Sequence, residues 1–210
     1  MRSVLCFGDS LTFGEKDLEG GGWVERLRRY FLTKEASLSH QQTLVYNLGI
    51  ASETTDGLVS RLESEFKSRV IGKQPCVVVL SYGLNDIKIH KNKNIVPTAY
   101  FERNLRSALS FLDKAGACAF VLNIPPINHQ IDGVRDQHKN LRFSDDVSLY
   151  NRLIEEIIVR KSTKVTYVDI HTQLKQSNQN IYADDQLHLN SIGHKLLFKQ
   201  ILELLESKVE

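Results

Sequence analysis

Short apolar runs alternate with amphipathic segments along this 210-residue chain. The runs have no helical period, and the clearest of them, Pro75–Tyr82, is built around three consecutive β-branched valines. This pattern is typical of strands that are buried on both faces of a parallel sheet. Five strands are predicted in this way: Val4–Phe7, Thr43–Leu48, Pro75–Tyr82, Ala117–Ile124 and Val165–Ile170.

The segments between the runs have the spacing of amphipathic helices. Leu58, Leu62, Phe66 and Val70, for example, lie four positions apart and would share one helix face. Helices are predicted over residues 23–31, 54–70, 97–115, 144–161 and 172–176, and from a cap at Asn190 towards the C-terminus. Strands and helices alternate five times. The sequence therefore predicts a single doubly wound α/β domain over residues 1–210, flavodoxin-like, with a mostly parallel sheet and helices on both faces.

Composition and charge exclude some classes of partner. The net charge is only +2 and the basic residues form no long block, so we expect no nucleic-acid partner. No apolar run has the length of a transmembrane helix, and we expect no signal peptide at the N-terminus. The cysteines, Cys6, Cys76 and Cys118, lie in or beside apolar runs, so buried reduced thiols and a cytoplasmic location are expected. Oligomeric state is not predicted.

Polar residues follow the predicted strands at the points where the strands end. Ser10 follows the first strand, Gly49 the second and Asn85 the third, while Asp185 and His188 precede the last helix. The carboxyl ends of parallel strands meet at one edge of the sheet, where ligands bind. We therefore expect these residues to lie together at that edge.

These residue types suit nucleophilic catalysis. A serine hydroxyl becomes a good nucleophile when a base such as His188 takes its proton. An acid three residues earlier, Asp185, can bond the other ring nitrogen and fix the tautomer of the histidine. The Asn85 amide and the backbone N–H groups of Ser10 and Gly49 could stabilise an oxyanion.

Other interpretations remain open at this point. The loop from Gly8 to Gly14 could cradle a phosphate or nucleotide in a non-catalytic binding module, although it lacks the usual glycine spacing. Asp184, Asp185, His188 and His194 could form a metal site, although their spacing is poor for ligands. Asp184 is also a rival for the role of the triad acid, but the three-residue offset favours Asp185.

Four ordered blocks resemble those of the GDSL (SGNH) hydrolase family. They are Gly8-Asp9-Ser10-Leu11, Gly49 in Asn-Leu-Gly, Gly83-Leu84-Asn85-Asp86 and Asp185-Gln186-Leu187-His188. The resemblance implies a three-layer α/β/α fold with a five-stranded parallel sheet. It also implies Ser10 as nucleophile, His188 as base, Asp185 as orienting acid, and an oxyanion hole formed by Ser10, Gly49 and Asn85. Many members have proline after the histidine, where this chain has Leu189, but no catalytic group is lost.

The resemblance further implies hydrolysis of carboxyl esters or thioesters without a metal or cofactor. We expect a small or lipid-like ester as substrate and an acyl-serine intermediate, with transfer to an alcohol as the alternative outcome. Residues near the site in sequence are expected to line its entrance, above all Leu11, Tyr82 and Tyr182, and also Ile87, Pro126 and Ile127. The irregular segment 127–142 could be a mobile flap whose basic residues, among them Arg135, His138, Lys139 and Arg142, meet an anionic ester.

Overall fold

The computed structural model describes residues 1–37, 42–72, 74–136, 139–159 and 164–207. Its strands, in chain order, are β1 (Arg2–Gly8), β2 (Thr43–Gly49), β3 (Cys76–Ser81), β4 (Ile89–His90), β5 (Lys93–Asn94), β6 (Cys118–Leu122) and β7 (Val165–Val168). Five of them form one parallel sheet in the order β2-β1-β3-β6-β7. The predicted parallel sheet is thereby confirmed, with β1 and β3 at its centre.

The helices cover both faces of this sheet. In chain order they are α1 (Ser10–Phe13), α2 (Trp23–Ser37), α3 (Thr55–Arg69), α4 (Thr98–Lys114), α5 (Ser144–Val159), α6 (Ile170–Lys175) and α7 (Ser191–Ser207). Helix α7 packs with α2 and α6 to form one layer, and α4 packs with α3 and α5 to form the other. The result is the expected three-layer α/β/α fold. Within the ranges given above, no helix combines the length and the apolar character needed to cross a membrane.

The central strands explain why the chain folds in this way. Val4 to Phe7 of β1 and Val78 and Val79 of β3 are completely buried, because helices cover the sheet on both sides. Cys6 and Cys76 are buried free thiols, as predicted, while Cys118 is free and only half-buried. Burial raises the pKa of the Cys76 thiol to about 12, which keeps it protonated and unreactive.

Two local elements differ from the sequence-based expectation. The turn after Gly8 contains the short helix α1, and the polar loop after Asn85 contains the hairpin of β4 and β5. Lys91 and Asn92 at the tip of the hairpin have φ values of 48° and 62°, the left-handed conformation that two-residue hairpin turns require. The end of the helix predicted over 144–161 lies partly outside the described residues, since α5 is described only to Val159.

Candidate active site

Ser10 is presented at the carboxyl end of β1 by the tight passage into α1. A Cβ atom on Gly8 would lie 2.0 Å from Oγ1 of Thr12 and 2.7 Å from the carbonyl oxygen of Ser81, so only glycine fits there. The next residue, Asp9, caps α1, because its carboxylate accepts the N–H of Leu11 at 3.0 Å. Ser10 is thus the first residue of a helix, a position at which the backbone N–H has no intrahelical acceptor.

His188 connects Ser10 to Asp185. Its Nε2 atom lies 2.9 Å from Oγ of Ser10, and its Nδ1 atom lies 2.6 Å from Oδ2 of Asp185. The other carboxylate oxygen of Asp185 accepts the backbone N–H groups of Leu187 and His188 at 3.0 and 2.9 Å. The same carboxylate therefore shapes the turn before α7 and orients the imidazole, and the residues form a continuous Ser–His–Asp chain of hydrogen bonds.

The environment of Asp185 suits a charged orienting group. Burial alone would raise its pKa, but the hydrogen bonds from His188 and from the two backbone N–H groups hold that pKa below its ordinary value. Its neighbour Asp184 is different, since its side chain is 81% exposed and pairs with Lys16 at 3.2 Å. The structure brings Asp185, and not Asp184, to the histidine.

Asn85 reaches the site from the loop 83–86, which follows β3 and is called the oxyanion loop below. Its Nδ2 atom donates to Oδ2 of Asp9 at 3.2 Å and to the carbonyl oxygen of Glu53 at 3.1 Å. Asp9 lies next to Ser10 in the chain, so the Asn85 amide sits beside the serine. Both donor hydrogens have protein acceptors here, and an oxyanion would share or replace one of these long hydrogen bonds.

Gly49 lies at the same edge of the sheet, but its backbone N–H already donates a hydrogen bond within the protein. It is the last residue of β2 and pairs with Gly8, close to the backbone of α1. Its N–H donates to Oδ1 of Asn47 at 3.0 Å, while the amide of Asn47 donates to the carbonyl oxygen of Phe13 at 3.2 Å. Of the predicted oxyanion donors, Asn85 thus bonds to the residue before Ser10, whereas the N–H of Gly49 is bonded to Asn47.

Sequence reasoning missed two acidic neighbours of the triad. Burial raises the pKa of Asp9 to about 6, and the nearby Asp86 adds to the increase. The position of Asp9 before a short helical stretch is a capping signal that could have revealed its role. Glu15 lies with Oε2 3.7 Å from Nε2 of His188, a proximity that nothing in the sequence pattern indicates.

The residues predicted to line the entrance lie at different depths. Leu11 and Tyr82 are buried, and the hydroxyl of Tyr82 donates to Glu53 at 2.6 Å. Tyr182 is half-buried and donates to the carbonyl oxygen of Pro126 at 3.1 Å. Together with Ile127 and His129, it lines an open cavity of about 380 Å³. Of the three main candidates, Tyr182 is the most accessible.

The segment 127–142 is attached to the site through Arg142. The prediction that Arg142 meets an anionic substrate is wrong, because its side chain is only 3% exposed and is paired with Asp136 at 3.0 Å. Backbone pairing between Ile89 and Leu141 also anchors this end of the segment to the hairpin. Arg135 donates to the carbonyl oxygen of Lys139, and His138 lies outside the described residues.

The predicted metal ligands are arranged differently from a metal site. Both ring nitrogens of His188 are engaged, one with Ser10 and the other with Asp185. His194 is buried, with Nε2 3.4 Å from the carbonyl oxygen of Glu15. Across the part of the chain that the structure describes, no three His, Cys, Asp or Glu side chains are grouped to hold a metal ion.

Comparison with known proteins identifies relatives along nearly the whole chain. The chain is 24% identical to a GDSL esterase/lipase of Arabidopsis thaliana, over 99% of this chain and 87% of the relative. It is 25% identical to the isoamyl acetate-hydrolyzing esterase 1 homolog of Rattus norvegicus, over 98% and 82% of the two chains.

Solved structures show the same fold at lower identity. A lipase/acylhydrolase from Enterococcus faecalis superposes with a TM-score of 0.76 at 19% identity, over 100% of this chain and 98% of the other. A variant of an acetyl xylan esterase from Geobacillus stearothermophilus gives a TM-score of 0.71 at 19% identity, over 99% and 96%. The model of the GDSL-like Lipase/Acylhydrolase family matches residues 6–196. The chain therefore belongs to this family of ester hydrolases.

Proposed function

We propose that this protein is a serine esterase that cleaves carboxyl esters through an acyl-serine intermediate. The observation that carries the proposal is the hydrogen-bond chain from Oγ of Ser10 through the imidazole of His188 to Asp185, with distances of 2.9 and 2.6 Å. This is the arrangement in which an imidazole can take a proton from a serine while a carboxylate stabilises the resulting imidazolium.

In the first step, Oγ of Ser10 attacks the carbonyl carbon of the ester as its proton passes to Nε2 of His188. The carbonyl oxygen becomes an oxyanion, which accepts hydrogen bonds from the Ser10 N–H and the Asn85 amide. When the intermediate collapses, the carbon–oxygen bond to the alcohol breaks and the alcohol takes the proton from His188. The products of this step are the free alcohol and the acyl-Ser10 ester.

In the second step, water attacks the acyl-serine carbonyl. His188 takes a proton from the water, and the same donors stabilise the second oxyanion. The bond to Oγ then breaks, Ser10 recovers its proton from His188, and the acid is released. An alcohol in place of water would make the same steps an acyl transfer.

The Gly49 N–H can join the oxyanion hole only if it leaves Asn47. For this reason the proposed hole rests on Ser10 and Asn85, with Gly49 as a third donor when substrate is bound. Removing one such donor typically lowers turnover by about 10²–10³-fold. Asn85→Ala should therefore lower kcat by this factor with a smaller change in KM, and steady-state kinetics on a good ester substrate would measure it.

The substrate is proposed to be a small carboxyl ester with a short acyl group. Support comes from relatives whose names include isoamyl acetate and acetyl xylan as the compounds on which they act. Substrate contact by Tyr182 is favoured by its partial exposure beside the turn that carries His188. Contacts from Leu11 and Tyr82 stay predictions, since both side chains are buried.

A series of p-nitrophenyl esters from acetate to long acyl chains tests this function. The parent protein should hydrolyse the short esters, and Ser10→Ala should lose the activity while keeping the melting temperature of the parent. Equal activity of Ser10→Ala and the parent would refute serine catalysis. A maximum at long acyl chains would refute the short-acyl assignment and leave the reaction type intact.

A further inference from the structure

Arg142 is a buried cation directly behind the oxyanion loop. Its guanidinium makes hydrogen bonds in three directions: Nε to the carbonyl oxygen of Leu84 at 2.8 Å, Nη2 to Oδ1 of Asn85 at 3.5 Å, and Nη1 to Asp136 at 3.0 Å. Two of the three contacts are therefore to the loop that carries the proposed oxyanion donor.

The counter-charge is supplied by the segment that carries Arg142. The Asp136 side chain is 5% exposed and also accepts hydrogen bonds from the backbone and side chain of Asn140. Burial alone would raise the pKa of Asp136, but the bonds from Asn140 and Arg142 hold it below its ordinary value, which favours the charged pair. A buried ion pair is costly to form, so its presence beside the oxyanion loop calls for a reason.

The contact with Oδ1 determines which way the Asn85 amide faces. Arginine has donors and no acceptor, so a flipped amide would place its NH₂ group against a cation that can only donate. With Oδ1 held by the guanidinium, Nδ2 must point to the opposite side, where Asp9 and the Glu53 carbonyl lie. Hydrogen bonding at the amide oxygen also polarises the group and makes its N–H bonds better donors.

We propose that Arg142 is a positioning residue for the oxyanion hole. It locks the Asn85 amide with its NH₂ group on the side of Asp9, the residue before Ser10, from which an N–H can be shared with an oxyanion. Asp136, itself bonded to Asn140, holds the guanidinium in place. This inference rests on the proposed function, because it assigns Arg142 an effect on turnover through Asn85. A purely structural clamp would affect folding stability and leave the chemistry unchanged.

Two substitutions of Arg142 distinguish the effect of its positive charge from that of its planar hydrogen-bonding group. Arg142→Lys keeps a cation near Asp136 but cannot reach Leu84 and Asn85 with a planar fork, and Arg142→Gln removes the cation. Both should lower kcat by about 10- to 100-fold with little change in KM, since small misplacements of a catalytic group have effects of that order. The affinity for a trifluoromethyl ketone, which forms an oxyanion with the serine, should fall by the same factor as kcat/KM.

A double-mutant cycle with Asn85→Ala tests whether Arg142 affects turnover through Asn85. In that background Arg142→Lys should change kcat by less than about twofold, since the group through which it acts is gone. Arg26→Gln is the matched control, because Arg26 forms a second ion pair with a buried carboxylate, Asp17, and does not contact Asn85. It should lose stability without a comparable loss of kcat.

Outcomes for the two proposals can be told apart. Full activity of Ser10→Ala would overturn the proposed function and, with it, the role of Arg142. If Ser10→Ala is inactive while folded Arg142→Lys and Arg142→Gln turn over like the parent, the inference about Arg142 alone is overturned. An equal effect of Arg142→Lys with and without Asn85 would also overturn it.

Discussion

The carboxylate of Asp185 has two structural tasks at once. One oxygen accepts two backbone N–H groups of its own turn, and the other accepts Nδ1 of His188. An asparagine could keep the first set of bonds, but its NH₂ group at the second position would oppose the Nδ1–H tautomer that the reaction needs. Geometry and charge can therefore be separated at this residue.

Asp185→Asn should lower kcat by about 10³–10⁴-fold while KM changes little, because the imidazole is left in the wrong tautomer and its protonated form loses its partner. Steady-state hydrolysis of p-nitrophenyl acetate measures this. The neighbouring Asp184→Asn is the control, since Asp184 is exposed and pairs with Lys16, and its kcat should match the parent. The reverse ranking of the two variants would assign the acid to Asp184.

At this scale the sequence was informative wherever function demands a particular side chain. Ser10, Asp185, His188 and Asn85 follow or precede recognisable elements. Hydrogen bonds join the first three in the structure, and Asn85 bonds to Asp9, the residue before Ser10. Arg142 is different, because a basic residue in an irregular segment looks the same in sequence whether it is solvated or buried. Its role depends on Asp136 and Asn85, which are respectively 6 and 57 positions away.

At the scale of elements, α1 and the end of β2 are in unusually close contact. A Cβ atom on Gly49 would lie 2.2 Å from the backbone N of Phe13 and 2.7 Å from the carbonyl carbon of Thr12. Backbone atoms cannot move aside as a flexible side chain can, so any side chain at this position would displace α1. The position of Ser10 thus depends on a glycine of another element.

Gly49→Ala should lower kcat by about 10²-fold, because the overlap moves α1 and misplaces Ser10, the proposed nucleophile. Thermal unfolding and ester kinetics would be measured on the same preparation. In Gly116→Ala, by contrast, the new Cβ meets no atom of the described residues within 4 Å, and the positive φ of 74° is what opposes the change. This control should lose some stability and keep its kcat, and a parent-like kcat for Gly49→Ala would contradict the account.

Unbroken apolar runs were sufficient to predict the strands of the central sheet, and helical periodicity was sufficient for the long helices. It was insufficient for α1 and for the hairpin of β4 and β5. Both are short, and they are held by local bonds such as the Asp9 cap and by left-handed residues such as Lys91 and Asn92. Elements of two to four residues carry too few apolar positions to show a period.

At the scale of the whole molecule, the titratable side chains of Asp9, Asp86 and His194 are buried in the fold. Burial raises the pKa of Asp9 and of Asp86 to about 6, and lowers that of His194 to about 4. Between about pH 4 and 6 the folded state holds protons on Asp9 and Asp86 that the unfolded chain has already lost. The contribution of these two carboxyls to the free energy of unfolding therefore falls as pH rises through that range. His194 acts in the opposite direction. As pH falls, the unfolded chain binds a proton at this histidine before the folded state does, so the free energy of unfolding decreases.

The contribution of His194 can be isolated by comparing His194→Gln with the parent. With a folded pKa of about 4 and an unfolded value of 6.5, the parent should lose about 2 kcal/mol from this group between pH 7 and pH 5. Asp17, Glu15, Arg26 and His188 surround the group and are unchanged in the variant. Urea unfolding at both pH values should show a smaller acid-induced loss in His194→Gln, and equal losses in the two proteins would refute the assignment.

The proposed function depends on Ser10 as a nucleophile that His188 activates. The most direct measurement is labelling of the protein with a fluorophosphonate, followed by intact-mass and peptide mass spectrometry. We predict one adduct, located on Ser10, absent in Ser10→Ala and formed far more slowly in His188→Ala. An adduct on another residue, or equal labelling of Ser10→Ala, would contradict the assignment of Ser10 as the nucleophile.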